Sequence, residues 1–186
     1  MIYFTADTHF WHHNVIKMSR RPFNNLNEMH AALIANWNSV VAKADEVYIL
    51  GDFAYKGQPQ QVNQILGKLN GKKYLIRGNH DRYLDQPDFD LTAFDWVKDY
   101  EVISYKDARF VLFHYPILEW AHYHRKSAHL YGHVHNNVNH DPELKDRFEV
   151  LGQRAINVGV DCNDLRPISA EEVYSKAFAD WNEVLR

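Results

Sequence analysis

Short apolar runs alternate with amphipathic stretches along the 186 residues of the chain. The runs are rich in β-branched and aromatic residues, which favours β-strands, whereas the stretches between them repeat apolar residues at helical spacing. This alternation predicts an α/β arrangement. The predicted strands cover residues 2–5, 46–50, 73–76, 101–105, 109–113, 128–131 and 155–158.

Three helices are predicted, each with one apolar face. The first follows Asn25 and Glu28, which stand at the spacing of a capping box, and the last opens at Ser169 with Glu172 in the same relation. The second covers residues 59–69 and has Gly71 just past its end. The apolar faces, which we assign to the core, are Leu26, Met29, Leu33, Trp37 and Val40; Val62, Ile65, Leu66 and Leu69; and Val173, Ala177, Trp181 and Val184.

Composition is that of a globular chain, with 46% hydrophobic and 24% charged residues. We expect one domain over residues 1–186, without a cap or accessory domain. The net charge of −3 disfavours binding to long nucleic acids or anionic membranes. A single cysteine, Cys162, excludes an intramolecular disulfide, and no signal peptide or membrane span is recognisable, so a cytoplasmic location is expected.

Polar side chains follow five of the predicted strands. In α/β proteins, ligand sites gather beyond the carboxyl ends of the strands, so these side chains are expected to form one cluster. The chain is also rich in histidine, with 12 in all, and neutral imidazole is the commonest metal ligand. The residues in question are Asp7 and His9; Asp52 after Gly51; Asn79, His80 and Asp81 after Gly78; His114; and His133 and His135 after Gly132.

Each of these pieces also has a structural interpretation. Asp7 and His9 fit an Asx-turn with a surface histidine, Gly-Asp is a common turn dipeptide, and His114 fits a buried structural histidine. His133 and His135 are more indicative, because alternation places both imidazoles on one face of an extended segment. The ordered recurrence at five strand ends favours the functional interpretation of the whole set.

This ordered set resembles the motif set of the calcineurin-like metallophosphoesterases. All five blocks are present, they span residues 7–135, and the segment "INVGVD" near the end is similar to the strand that follows the last motif in that family. The short chain is most similar to small stand-alone bacterial or phage phosphoesterases. The resemblance implies an α/β/β/α sandwich of two mixed sheets flanked by helices, with Phe, Tyr and Trp between the layers.

The resemblance also implies two divalent metal ions. Asp7, His9 and His135 would hold the first ion, Asn79, His114 and His133 the second, and Asp52 would bridge them. Carboxylate, imidazole and amide donors suit borderline ions, and the absence of thiolates argues against a structural zinc site. Mn²⁺ is the first expectation, and Fe, Zn or Ni suit the same donors.

Two clustered cations can turn a bridging water into hydroxide near neutral pH and align a phosphorus atom for in-line attack. In the family pattern, the histidine after the asparagine ligand acts on the scissile phosphate, which makes His80 the expected proton donor. Asp81 is expected to assist by accepting a hydrogen bond from His80, and its alternative interpretation is a helix cap or a partner of Arg82.

Two loops are candidates for contact with the substrate. The segment after the first ligands brings an aromatic ring and several basic groups near the predicted site, of which His12, His13, Arg20 and Arg21 are the named substrate-binding candidates. The segment 122–126 offers a second basic edge with His122, His124, Arg125 and Lys126. In the alternative interpretation, Trp11 packs beneath the first loop and the arginines are solvated.

The leading functional hypothesis is a dinuclear metal-dependent phosphoesterase acting on a small phosphorylated substrate. The motifs do not distinguish phosphodiesterase from phosphatase activity, and the oligomeric state, monomer or homodimer, is not readable. A nuclease on short or single-stranded nucleic acid is the alternative, although no extended basic stripe supports a polymer channel. A non-catalytic scaffold on the same fold would be expected to lack some ligands or His80.

Overall fold

The computed structural model describes residues 1–181, and its strands form two sheets. The nine strands of this part of the chain are β1 (Ile2–Thr5), β2 (Glu46–Ile49), β3 (Lys72–Ile76), β4 (Trp96–Lys98), β5 (Tyr100–Tyr105), β6 (Ala108–Phe113), β7 (Ser127–Tyr131), β8 (Ala155–Asn157) and β9 (Ile168–Ser169). One sheet has the order β4-β3-β2-β1-β9, and the other has the order β5-β6-β7-β8.

Both sheets are mixed. Strands β1 to β4 are mutually parallel and β9 is antiparallel to β1, while β5 is antiparallel to β6 and β6 to β8 are parallel. Thr5 pairs with Ile49, and Ile49 pairs with Leu75, so three parallel strands end at one level. An isolated bridge between Ala6 and Gly159 brings the end of β1 to the segment after β8. The carboxyl ends from both sheets therefore meet at one edge.

The helices are α1 (His13–Met18), α2 (Leu26–Val40), α3 (Pro59–Lys68), α4 (Pro142–Glu149) and α5 (Ala170–Phe178). The capping box predicted at Ser169 is confirmed, since Ser169 and Glu172 each accept a hydrogen bond from the other's backbone N–H. Of the two hydrogen bonds predicted for the capping box at Asn25, one is formed and the other goes to the neighbouring residue. Asn25 accepts from the N–H of Glu28, but the Glu28 carboxylate accepts from the N–H of Asn24.

Two hydrophobic cores hold these layers together. The predicted arrangement of two mixed sheets flanked by helices is confirmed, with aromatic side chains between the sheets: Phe4 and Phe110 meet edge to face at 5.6 Å between ring centroids. A second core lies outside the first sheet and includes Trp37 of α2, Ile65 of α3 and Ile49 of β2. Burial of each large apolar side chain stabilises the fold by about 1.5–3 kcal/mol.

All seven predicted strands form, with bounds that differ from the prediction by one residue or less. Two short edge strands, β4 and β9, and two helices, α1 and α4, were not predicted. Strands of two or three residues are too short to show an alternating pattern, and α4 has no buried residue and hence no apolar stripe. Val184, assigned to the stripe of the last helix, lies outside the described residues.

Candidate metal centre

Six of the predicted ligands form two groups of three at the shared edge of the sheets. In each group, one donor atom per residue lies within 4.8 Å of the others. Because the strands that precede these residues belong to both sheets, the cluster lies where the two sheets meet. The first group is Asp7, His9 and His135, and the second is Asp52, His114 and His133.

Asp52 and Asn79 connect the groups. Asp52 Oδ2 lies 3.5 Å from His9 Nε2 in one group and 3.5 Å from His114 Nε2 in the other. Asn79 Oδ1 lies 3.1 Å from His114 Nε2 and 3.0 Å from His133 Nδ1. The structure therefore gathers all seven predicted ligands in one place, with Asp52 between the two groups.

The histidines are oriented as metal ligands would be. His114 donates its Nδ1–H to the carbonyl of Leu50 at 2.7 Å, and His135 Nδ1 lies 2.7 Å from a carboxylate oxygen of Asp161. The other nitrogen of His114, Nε2, faces Asn79 Oδ1 and Asp52 Oδ2 within the cluster, where a cation would be bound. His9 Nε2 is buried and, within residues 1–181, has no hydrogen-bond partner, which is costly unless an ion occupies the position. The donor set thus fits divalent metal ions.

The electrostatics of the cluster also fit a bound cation. Burial raises the pKa of Asp7 to about 6, the shift expected of a carboxylate held away from water. Burial acts in the same direction on Asp52, but the hydrogen bond and the charge of His114 outweigh it and lower the pKa of Asp52 to about 2. For His114, burial is likewise outweighed by Asp52, and the pKa rises to about 9. A cation would stabilise both carboxylates.

Five of the seven predicted ligands have a left-handed backbone. Such a conformation costs a non-glycine residue on the order of 1–2 kcal/mol, and strain of this kind concentrates at functional sites. It turns the chain sharply after each strand, so that neighbouring loops bond to one another, as the N–H of Asp7 does to Gly51 O at 3.0 Å. The φ angles are 56° for Asp7, 50° for His9, 54° for Asp52, 72° for His133 and 51° for His135.

Arg21 is buried in a support beneath the cluster and does not lie on the substrate side. Its side chain is 0% exposed, and Nε and Nη2 donate to the two carboxylate oxygens of Asp161 at 2.7 and 2.9 Å. It also donates to the backbone carbonyls of Asp7 and Thr8. Because these bonds occupy the guanidinium, the expectation that Arg21 grips a substrate phosphate is wrong.

Asp81 is a second buried support. Its carboxylate accepts hydrogen bonds from the backbone N–H groups of Asp52, Phe53 and Gly78, each at 2.9 Å. It therefore ties the loop after β2 to the loop after β3. Neither the predicted hydrogen bond with His80 nor a pairing with Arg82 is formed within residues 1–181, so the expected catalytic assistance by Asp81 is corrected to a structural role.

His80 lies at the mouth of the cluster. Its backbone N–H donates to Asp52 Oδ1 at 2.8 Å, and its side chain is 34% exposed with Nε2 4.0 Å from Asp52 Oδ2. Its ring meets Tyr55 edge to face at 5.0 Å between centroids. The imidazole thus lies beside Asp52, the residue between the two ligand groups, and is partly open to solvent.

The loop residues expected to contact substrate have separate environments. His12 Nδ1 lies 3.2 Å from His9 Nδ1, which places His12 behind a predicted ligand. His13 is exposed at the start of α1, and Arg20 lies 3.2 Å from His140 Nδ1. In the second loop, Lys126 donates to Asp107 and Tyr174.

Comparison with known proteins decides the family. The sequence model of the calcineurin-like phosphoesterases matches residues 1–110. The chain belongs to the calcineurin-like phosphoesterase family. The matched segment carries the strand ends up to Asp81, and His114, His133 and His135 lie beyond it.

Relatives of this phosphoesterase are similar over nearly their whole length. An uncharacterised protein of Methanocaldococcus jannaschii is 34% identical over 91% of this chain and 87% of its own. The gene 66 protein of Mycobacterium phage L5 is 27% identical over 92% and 91%. The crystal structure of a protein of unknown function from Aquifex aeolicus, 29% identical, superimposes with a TM-score of 0.71 over 93% of this chain and 97% of that one.

Two features of this phosphoesterase were not found from the sequence. Asp161, which holds His135 and Arg21, is the last residue of "INVGVD", so the signal was present in a segment noted only for its strand. The loop that carries Tyr55 and Lys56 borders His80 but has no motif.

None of the helices within residues 1–181 combines the length and the apolar character needed to cross a membrane.

Proposed function

We propose that this calcineurin-like phosphoesterase uses two divalent ions to hydrolyse phosphodiester or phosphomonoester bonds of small phosphorylated molecules. The position of Asp52 carries the proposal. One of its oxygens lies 3.5 Å from His9 Nε2 and 3.5 Å from His114 Nε2, so a single carboxylate faces both ligand groups. That arrangement is what a pair of ions with a shared ligand requires.

Asp7, His9 and His135 would hold one ion, and Asn79, His114 and His133 the other, with Asp52 shared. The donors are oxygen and nitrogen only, which suits Mn²⁺ first and Fe, Zn or Ni as alternatives. When bound, the two ions would supply a water of lowered pKa for in-line attack and would neutralise the phosphate oxygens. The fold would hold these donor atoms close together in the absence of substrate.

His80 would donate a proton from Nε2 to the oxygen of the leaving alcohol. Its support is geometric: Nε2 lies 4.0 Å from the shared carboxylate, and the ring is held by Tyr55 and by the backbone bond to Asp52. A positioned general acid contributes about 10²- to 10⁴-fold to the rate. Its contribution is largest when the leaving group is a poor one.

The test measures hydrolysis of p-nitrophenyl and phenyl esters, as diesters and as monoesters, by metal-free protein with added Mn²⁺. Turnover should require Mn²⁺ and stop on addition of chelator. His80→Ala should slow the phenyl esters by about 10²-fold or more and the p-nitrophenyl esters less, because nitrophenolate leaves with little help from an acid. Asp52→Asn should abolish metal-dependent turnover of all four esters.

Asp146→Asn is the matched control for Asp52→Asn. Asp146 is exposed on α4 and belongs to neither ligand group. It should retain wild-type rates. Absence of Mn²⁺-dependent turnover in the wild type, or turnover that survives Asp52→Asn unchanged, would refute the proposed function.

A further inference from the structure

A cavity of about 350 Å³ opens beside His80 at the mouth of the metal centre. It lies between the loop after β2 and the 3₁₀ turn Arg82–Asp85. Its size is that of a small-molecule site. The lining residues are Tyr55, Lys56, Gly57, Gln58, Pro59, His80, Arg82, Tyr83 and Gln86.

His80 belongs to both the cavity wall and the metal centre. Its Nε2 lies 4.0 Å from Asp52 Oδ2, and the same residue lines the cavity. A phosphate held at the candidate ligands would therefore direct one of its substituents past His80 into this space. The cavity is placed to receive the organic part of a substrate.

The lining is cationic. It contains Lys56 and Arg82 but neither Asp nor Glu, and the remaining polar side chains are the amides of Gln58 and Gln86 with two tyrosines and His80. Within residues 1–181, neither Lys56 Nζ nor the Arg82 guanidinium has an acidic partner. Elsewhere on the surface, by contrast, Arg77 pairs with Asp85 and Lys126 with Asp107.

Lys56 follows a residue whose position is fixed by packing. Its own backbone is left-handed, with φ 57°. Tyr55, the preceding residue, stacks on His12 at 4.1 Å between ring centroids, and its N–H donates to Phe10 O at 2.8 Å. Lys56 Nζ lies 5.0 Å from the Tyr55 ring.

The start of α3 adds to the positive potential of the cavity. Gln58 and Pro59, its N-cap and first residue, are part of the lining, and a helix N-terminus favours negative charge nearby. Two cations without an acidic partner in residues 1–181, two side-chain amides and a helix N-terminus together favour an anion with several hydrogen-bond acceptors.

We propose that this cavity binds a second phosphoryl group, so that the preferred substrates are organic phosphates carrying another phosphate besides the one that is hydrolysed. This inference rests on the proposed function, since it assigns the first phosphate to the metal centre. Lys56 and Arg82 would contact the second phosphate, and His80 would lie between the two.

The test compares two probes by calorimetry with Mn²⁺-loaded protein: adenosine 3′,5′-bisphosphate and adenosine 5′-monophosphate. Charge-assisted hydrogen bonds from two cations should make the bisphosphate bind at least about tenfold more tightly. Lys56→Ala and Arg82→Gln should each reduce that preference, and the double variant should bring the two dissociation constants to within about twofold. Lys43→Gln, which removes an exposed cation from the turn between α2 and β2, should keep the wild-type preference.

Equal binding of the two probes by the wild type would overturn the inference, and so would a preference that survives the double variant. Hydrolysis of bis(p-nitrophenyl) phosphate is measured in parallel. If hydrolysis occurs without the binding preference, the cavity assignment alone fails. If the preference is present and lost in the double variant while no ester is hydrolysed, the proposed function alone fails.

Discussion

The Nδ1 atom of His12 lies 3.2 Å from the Nδ1 atom of His9. Because His9 Nε2 is the buried atom without a partner in residues 1–181, Nε2 is the atom left for an ion and Nδ1 carries the proton. Burial lowers the pKa of His12 to about 4, so at pH 7 its ring is neutral and can accept that proton's hydrogen bond. We therefore assign His12 a positioning role toward His9.

Replacing His12 with alanine is expected to weaken Mn²⁺ binding about 10- to 100-fold, because the partner that orients a ligating imidazole is lost. Calorimetric titration of the metal-free protein measures this without any substrate. His13→Ala is the control, since the neighbouring imidazole is exposed. Wild-type Mn²⁺ affinity in His12→Ala, or an equal loss in both variants, would contradict the assignment.

Neighbouring residues of the same type cannot be told apart from the sequence. His12 and His13 look equivalent there, as do Arg20 and Arg21. What separates them is long-range: Arg21 meets Asp161, 140 positions away, whereas Arg20 meets His140 at the surface. Motif spacing predicted which side chains gather at the centre, but it has no information on the residues that support them from other parts of the chain.

At the scale of elements, the loops after β2 and β3 approach so closely that no side chain fits between them. A Cβ atom on Gly78 would lie 2.3 Å from Asp52 Oδ1 and 2.4 Å from Asp52 N. Gly78 thus provides room for the adjacent loop, and its own φ is not the reason for a glycine there. Gly67, in the last turn of α3, has nothing within 4 Å of the same added atom.

The same substitution is therefore expected to have opposite effects at the two glycines. Gly78→Ala should lower the free energy of unfolding by about 1–3 kcal/mol through overpacking and should weaken Mn²⁺ binding by displacing Asp52. Gly67→Ala should raise the free energy of unfolding by about 0.5–1 kcal/mol, because alanine favours the helix. Urea denaturation of both variants measures the signs, and destabilisation by Gly67→Ala or tolerance of Gly78→Ala would count against this account.

The strand ends were predictable because the apolar period of each strand stops where its polar residues begin. The prediction failed where an element has no period of its own. The residues of α1, for example, are predicted from the sequence to form a loop, yet they form a six-residue helix that buries Val15 alone. Six residues span less than two helical turns, which is too short to display a stripe.

At the scale of the whole molecule, metal binding would join the two sheets. Asp7, Asp52 and Asn79 follow strands of the first sheet, whereas His114 and His133 follow strands of the second. An ion held by both sets stabilises the native state according to its concentration, by about 2.7 kcal/mol at one hundred times the dissociation constant. The stability of the protein and the occupancy of its centre are then linked quantities.

His114 makes that link depend on pH. In the metal-free protein its pKa is raised to about 9, because the bond and charge of Asp52 outweigh burial, while its unfolded value is near 6.5. This raised pKa contributes stability that is fully present below about pH 6.5 and is lost as the pH rises through 9. Asp7 and Asp81, with pKa values raised to about 6 chiefly by burial, titrate mainly below pH 7. The pKa of His135 is also raised, because Asp161 and Asp7 outweigh its burial, so His135 acts in the same direction as His114.

We accordingly expect titration of His114 to lower the unfolding free energy of the metal-free protein by about 1 kcal/mol per pH unit between pH 7 and 8.5. The Mn²⁺-saturated protein should stay nearly level, since a metal-bound imidazole carries no exchangeable proton at Nε2 and releases none in this range. Urea denaturation at several pH values, with and without Mn²⁺, measures the gap between the two curves. His114→Asn should make the metal-free curve shallower, with the remaining slope due to His135. If the gap between the two curves narrows as the pH rises, the ion does not displace a proton from His114.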